Sequence, residues 1–363
     1  MRKLFLPLLT LCLFVGLSFA QKLPKPTQLP NALTDAQQQS LSAAIKLHDA
    51  KQYDGAIEVY DKILAENPDS SEVLYEKAMS LYTRGDKQKA METAYLGAKY
   101  KSDQLALFYT VMATCLDDVG KPDEAIQIYR QAEDMLKSDI GMKHHLSSVY
   151  FNLGVAYLRQ KKNPEARTEL KKSVENNFAY ASPHYLLAAI YNGSKYKIPA
   201  FLAAARFLSL EYNTPKSKNA AAILSDTLKP PATNPDTGNV TIFLSMDAPK
   251  DEGDFGMYDL LLGTLMIAKD KNEKARSENE MFVDAVGTLI GLLSEDKKLR
   301  SSFIGKNYVP FMVEMKRMGY VEPFGYMALY ISGKADAMTW LKANDAKFGE
   351  FIKWAKGYQL PTK

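Results

Sequence analysis

The sequence predicts an all-α protein, a solenoid of stacked helix pairs followed by a helical C-terminal domain. Three observations carry this. A 34-residue self-similarity runs from about Gln37 to Thr214, and a fixed period of that length is the signature of repeated helix-turn-helix units. A small residue recurs within it at Ala56, Ala90, Ala125, Ala166 and Ala200, spaced by 34, 35, 41 and 34 residues. Only one run in the chain, 239–245 (NVTIFLS), has the composition of a strand.

At the N-terminus, Arg2 and Lys3 precede an apolar run from Leu4 to Phe19, with Ser18 and Ala20 where a signal peptidase reads small residues. Residues 1–20 therefore read as a secretory signal and the mature chain as exported, periplasmic or extracellular. The run is short for a membrane span, so a membrane enters only if the segment is retained. Cys12 follows Leu11, where a lipoprotein signal wants a small residue, which argues against lipidation. Cleavage after Ala20 removes Arg2, Lys3 and Cys12 and leaves a net charge of about +2, too balanced for a nucleic-acid partner. Cys115 then stands alone, so no intramolecular disulfide forms and the thiol reads as a small core hydrophobe. Residues 21–36 are Pro-rich and read as a tether. At its end Thr34 and Gln37 make a capping box that starts the first helix.

Five units follow, at about 37–70, 71–104, 106–139, 147–180 and 181–214. In the fourth, Tyr150, Leu153, Gly154, Tyr157, Ala166 and Leu170 stand where the pattern W-x2-L-G-x2-Y, A-x3-F places its residues, so this window resembles the tetratricopeptide repeat family. The other windows carry the pattern more loosely. The resemblance implies a right-handed solenoid in which the two helices of each unit cross at small residues. These are Ala44 and Ala56, Ala78 and Ala90, Ala113 and Ala125, Gly154 and Ala166, and Ala188 and Ala200. A larger side chain there would push the helices apart and open a void. The 41-residue interval places an insertion of about seven residues near 139–146, read as a longer turn or an extended first helix. A cap helix at 218–228 is expected to cover the apolar end of the last unit.

The stretch 229–238 (KPPATNPDTG) reads as a linker, and 239–363 as a helical C-terminal domain. Its expected helices are 257–268, 278–293, 308–318, 322–331, 335–342 and 346–356. The strand-like run 239–245 has no evident sheet to join. Asp247, Asp251, Glu252 and Asp254 cluster around Gly253 without the spacing of a calcium loop, and read as a hydrated turn ahead of a helix. Met312, Met315 and Met318, among many aromatics, read as core.

The resemblance implies that the first helices of the units line a concave groove, through Ile45 in the first unit, Tyr75, Met79 and Tyr82 in the second, and Thr114 in the third. Phe151, Val155, Leu158 and Arg159 follow in the fourth unit, Tyr185 and Asn192 in the fifth. Family members that grip a chaperone tail by its carboxylate carry Lys, Asn and Arg at such positions; here these are mostly apolar or neutral. The groove suits an amphipathic helix or an extended apolar segment of a partner protein. The expected function is thus a non-catalytic protein-binding scaffold, with oligomeric state open. Three alternatives stand beside it: a groove filled by the C-terminal domain itself, an enzyme site in that domain, or a structural subunit of a cell-envelope complex. No cofactor or metal is expected. The histidines, His48, His144, His145 and His184, fall in three different units, and no Walker loop, G-x-S-x-G, dinucleotide fingerprint or H-E-x-x-H occurs.

Overall fold

The computed structural model describes residues 22–229, 231–233, 236–237, 239–242, 244–245, 251–272 and 277–361. The expected signal, 1–20, lies outside them, as do residues 247–250 of the acidic loop. The chain divides into two compact units, the first ending at Met135 and the second beginning at Leu136.

The first unit holds α1 (Asp35–Asp49), α2 (Tyr53–Glu66), α3 (Ser71–Arg84), α4 (Lys87–Gly97), α5 (Leu105–Asp118) and most of α6 (Pro122–Ser138). Thr34 caps α1 as the sequence predicts, its hydroxyl taking the Gln37 N–H while the Gln37 side chain returns to the Thr34 backbone. Each helix pair closes through one left-handed residue, Lys51, Gly85 or Gly120. The same geometry recurs in the second unit at Lys161 and Lys195, five residues ahead of the small position in every repeat.

These five turns share one hydrogen bond. The N–H after the left-handed residue reaches back five positions: Gln52 to Leu47, Asp86 to Leu81, Lys121 to Leu116, Lys162 to Tyr157 and Tyr196 to Tyr191, at 2.8–2.9 Å. That is the Schellman closure, which satisfies a carbonyl orphaned by the end of the helix. Glycine takes this conformation without strain at two of the five turns; lysine occupies it at the other three.

The segment expected as a tether is laid along the first unit instead. Leu23 is buried, and its N–H donates to Gln131 Oε1 at 2.9 Å. The Thr27 and Gln28 N–H groups donate to the Lys99 carbonyl, and the Lys101 N–H returns to the Gln28 carbonyl at 2.7 Å. Further on, the Asn31 N–H donates to the Asp69 carbonyl, and Asn67 Nδ2 to the Ala32 carbonyl. Prolines limited the sequence reading here. They prevent a helix, but a proline-rich strand can still dock wherever loop carbonyls and an apolar recess are offered.

In the second unit a 3₁₀ turn at Ile140–His145 fills the insertion. Next come α7 (Leu146–Arg159), α8 (Asn163–Asn176), α9 (Ala181–Gly193), α10 (Lys197–Leu210) and the cap helix α11 (Ser217–Thr227). A two-residue strand β1 (Ala232–Thr233) pairs antiparallel with β2 (Val240–Thr241), so the strand-like run finds its partner on the near side of its own turn. The remainder is helical: α12 (Gly256–Asn272), α13 (Glu278–Glu295), α14 (Phe303–Asn307), α15 (Val309–Arg317), α16 (Val321–Ile331), α17 (Ala335–Ala343) and α18 (Asp345–Gly357).

One apolar cluster runs through this unit from Leu170 on α8 to Ala355 on α18, including Phe201, Leu224, Leu289, Phe311 and Phe324. The proline-rich stretch 229–238 therefore separates no second core. The C-terminal helices meet the repeats at α8, α10 and α11, through α14, α12 and α18, and α16. They cover second helices and the cap, and Tyr308 also reaches His184 on the first helix α9, so they take over the burial of an apolar repeat end that a solenoid must otherwise solve with a polar terminal unit.

Candidate functional site

Helix crossing is the first level of the site. The ten small residues expected at the crossings, Ala44, Ala56, Ala78, Ala90, Ala113, Ala125, Gly154, Ala166, Ala188 and Ala200, are all buried. At Gly154 a Cβ would stand 2.8 Å from Leu170 Cγ and 3.3 Å from the Ala166 carbonyl, inside van der Waals contact. This spacing fixes how the first helices lie and hence which side chains they present.

In contrast, none of the eleven expected groove side chains is buried. Ile45, Tyr75, Met79, Tyr82 and Thr114 in the first unit, and Phe151, Val155, Leu158 and Tyr185 in the second, are half-buried; Arg159 and Asn192 are exposed. Several have partners of their own. The Tyr75 ring meets Phe108 edge-on at 6.2 Å, and Tyr82 Oη donates to Asp118 Oδ2 at 2.9 Å. Phe151 lies edge-on to Tyr180 at 5.2 Å. Tyr185 packs against Phe207 at 5.1 Å, with Lys216 Nζ 5.5 Å from its ring centre and the Asn219 amide donating to its hydroxyl. The cap helix α11 thus engages one of the aromatics expected to face a partner. In the first unit the neighbourhood is acidic: burial first, then Glu72 and Asp49, raise the carboxyl of Glu76 above its ordinary range.

Elsewhere the structure builds a buried polar cluster that sequence reasoning missed. Arg206 on α10 is fully buried, its guanidinium carbon 4.5 Å from the ring centre of Phe178 and 4.6 Å from that of Phe311. Nε donates to the Phe178 carbonyl at 3.2 Å, and Nη1 donates to the Ala355 carbonyl at 2.7 Å. The second bond caps the C-terminal turn of α18 with a cation, the favourable sign at that end of a helix. Burial pushes the guanidinium pKa down to about 9.

The fully buried His184 sits beside it. Its Nε2 lies 3.0 Å from the Phe178 carbonyl, which only accepts, so Nε2 carries the proton and Nδ1 accepts from the Tyr308 hydroxyl at 2.8 Å. Burial, then Arg206, pushes its pKa down to about 3, so the ring is neutral. The sequence signal was an arginine inside the otherwise apolar stretch 198–210, and a histidine where the repeat pattern wants a large apolar residue.

The acidic loop is not a hydrated turn at its described end. Glu252 is fully buried, with Oε1 at 3.0 Å from Arg167 Nε and 3.3 Å from Lys171 Nζ, while Asp251 pairs with Lys171. Burial raises the Glu252 pKa although the Lys171 and Arg167 cations oppose it. Only Asp254 acts as a turn residue, accepting the Gly256 N–H at 3.1 Å ahead of α12. The His144 and His145 rings lie 4.0 Å apart, tilted by 40°. Among the described residues no three His, Cys, Asp or Glu side chains are placed to hold a metal ion. Cys115 is buried, and burial, foremost, pushes its thiol up to about 12, which makes it a packing residue.

Residues 147–180 match the tetratricopeptide repeat model, and residues 49–132 match the model described as anaphase-promoting complex, cyclosome, subunit 3. The helix pair at 147–180 thus matches a tetratricopeptide-type repeat, and the fold is all-α. Among solved structures the chain is similar to a thermophilic TPR protein of Thermus thermophilus, at 18% identity over 52% of this chain and 98% of that one, TM-score 0.40. It is also similar to PilW, a type IV pilus biogenesis factor, at 14% identity over 74% and 98%, TM-score 0.38. A third is YrrB, a TPR protein with an unusual peptide-binding site, at 14% identity over 50% and 90%, TM-score 0.32. No curated protein matches the chain. No described helix is long and apolar enough to cross a membrane.

Proposed function

We propose that this protein is an exported, non-catalytic scaffold that holds an apolar or aromatic peptide or helix of another protein against the first helices of its repeats. The observation that supports this reading is the contrast between the two residue sets. Every crossing position is buried, whereas every groove position keeps part of its surface open to water. In the second unit α7 offers half-buried Phe151, Val155 and Leu158 and exposed Arg159 as the face for a partner. Aromatic and methionine side chains at helical spacing supply contact area at modest entropic cost and adapt to different apolar faces. Export rests on residues 1–20, and the mature chain starts at Gln21 in this reading.

The test is capture of partners from the extracytoplasmic fraction with residues 21–363 as bait. Truncating Tyr75 and Phe151 is a poor control, because both rings also support Phe108 and Tyr180. Met79→Glu with Val155→Glu is better: both sites are half-buried, and a charge on each repels an apolar ligand. A stoichiometric partner lost with the double variant, at unchanged helical content, supports the scaffold. A partner retained by that variant overturns the groove assignment, and N-terminal sequencing of the exported chain tests the cleavage site.

A further inference from the structure

A cavity of about 350 Å³ lies in the second unit, away from the repeats' first helices. The end of α13, the 3₁₀ turn Leu299–Ser301, α14 and α15 border it. Its apolar lining comes from Leu293, Leu299, Val309, Pro310 and Val313. A space so lined gains little from water, which needs two to four polar partners to be held. At about 30 Å³ per non-hydrogen atom, judged from the volume of water, it has room for roughly ten such atoms. That is the small end of ligand-binding cavities, which span about 300–1,000 Å³.

Charge at the lining gives the ligand its sign. Asp296, Arg300 and Lys306 all contribute. The aspartate is already used: Oδ2 accepts from the Tyr258 hydroxyl at 2.6 Å, and Oδ1 accepts the Lys298 and Leu299 N–H groups at 2.7 and 3.3 Å. Those bonds hold its carboxyl below the usual range, with the Tyr258 bond the largest cause. Arg300 and Lys306 are exposed, and among the described residues neither pairs with a carboxylate. Among the described residues, two cations without a carboxylate partner thus stand beside an apolar recess.

We propose that this cavity binds a medium-chain aliphatic carboxylate, with the chain in the recess and the carboxylate on Arg300 and Lys306. Arginine offers the planar donor pair that fits a carboxylate, and lysine adds a point charge. The geometry favours a free small molecule over a peptide terminus, because an alkyl chain needs no donors or acceptors from a lining that supplies few.

The experiment is isothermal titration of the folded mature chain with octanoate and with octylamine, which match in length and differ in charge. Octanoate is expected to bind with a Kd on the order of 0.1–1 mM, in keeping with the affinity available to about ten atoms, and octylamine at least tenfold more weakly. Arg300→Ala with Lys306→Ala, both surface changes, is expected to weaken octanoate at least tenfold at an unchanged melting temperature. Val313→Trp, which fills the recess, abolishes binding. No octanoate binding, equal affinity for the two probes, or an unchanged affinity in the double variant overturns the proposal. A peptide ending in a free leucine carboxylate that binds tenfold tighter than octanoate overturns the small-molecule assignment.

Discussion

Gly97→Ala is the sharpest probe of how packing between repeats sets the proposed binding face. Gly97 ends α4, and a Cβ built there would stand 2.2 Å from two atoms of the Phe108 ring and 2.7 Å from a third. Ordinary carbon contacts lie near 3.5–4.0 Å, so the ring would have to retreat by more than about 1 Å. It has nowhere free to go, since Phe108 is fully buried and the Tyr75 ring stands edge-on at 6.2 Å. Overpacking of this kind costs about 1–3 kcal/mol, and the upper half of that range applies because neither partner is a flexible chain end. Against it, alanine gains up to about 1 kcal/mol over glycine in a helix. The net expectation is a loss of about 1–2 kcal/mol, read by urea unfolding, together with a displaced Tyr75 and weaker partner capture. Phe108→Leu in the same background should recover at least about 1 kcal/mol in a double-mutant cycle, since residues in direct contact do not behave additively. A stabilised Gly97→Ala protein, or two changes that add within about 0.5 kcal/mol, would refute the packing argument.

Two further outcomes follow from the turns and the buried histidine. Lys161 is exposed and holds a left-handed backbone with φ 60°. A side chain in that conformation costs about 1–2 kcal/mol, part of which glycine gives back in unfolded-state entropy. Lys161→Gly should therefore raise stability by about 0.5–1 kcal/mol, and a lower melting temperature would contradict the strain assigned to this turn. His184 is depressed from 6.5 to about 3, so the unfolded chain binds the extra proton first. The stability this group contributes is present above pH 6.5 and is lost as pH falls toward 3, by an upper bound of roughly 5 kcal/mol. His184→Gln should flatten the stability curve between about pH 6 and 4; an identical acid limb in both proteins would show that the histidine does not govern it.

Legibility in the sequence followed the range of the interactions. The repeat register and the capping box at Thr34 were readable because each is set within one helix or one hairpin, where a spacing of three, four or thirty-four residues is itself the geometry. The left-handed turns could have been read too, since Gly85 and Gly120 occupy them, but lysine at 51, 161 and 195 hid the rule: backbone closure there overrides side-chain preference. The strap at 22–34 and the core shared across 229–238 were not readable, because they depend on which distant carbonyls and apolar faces meet.

Arg206 shows the limit most clearly. An arginine in an apolar helix is a signal that sequence reasoning passed over, and its role as the cap of α18 depends on a carbonyl 149 residues away. The same holds for Glu252, which looked like one of four solvated acids until Arg167 and Lys171 were placed beside it. Both residues tie the C-terminal helices to the fourth and fifth repeats by buried polar bonds that have no apolar substitute of the same direction. The C-terminal segment is thereby joined to α8 and α10, and through Tyr308 to His184 on the first helix α9. On α7, the half-buried Phe151, Val155 and Leu158 are what the proposed partner would cover.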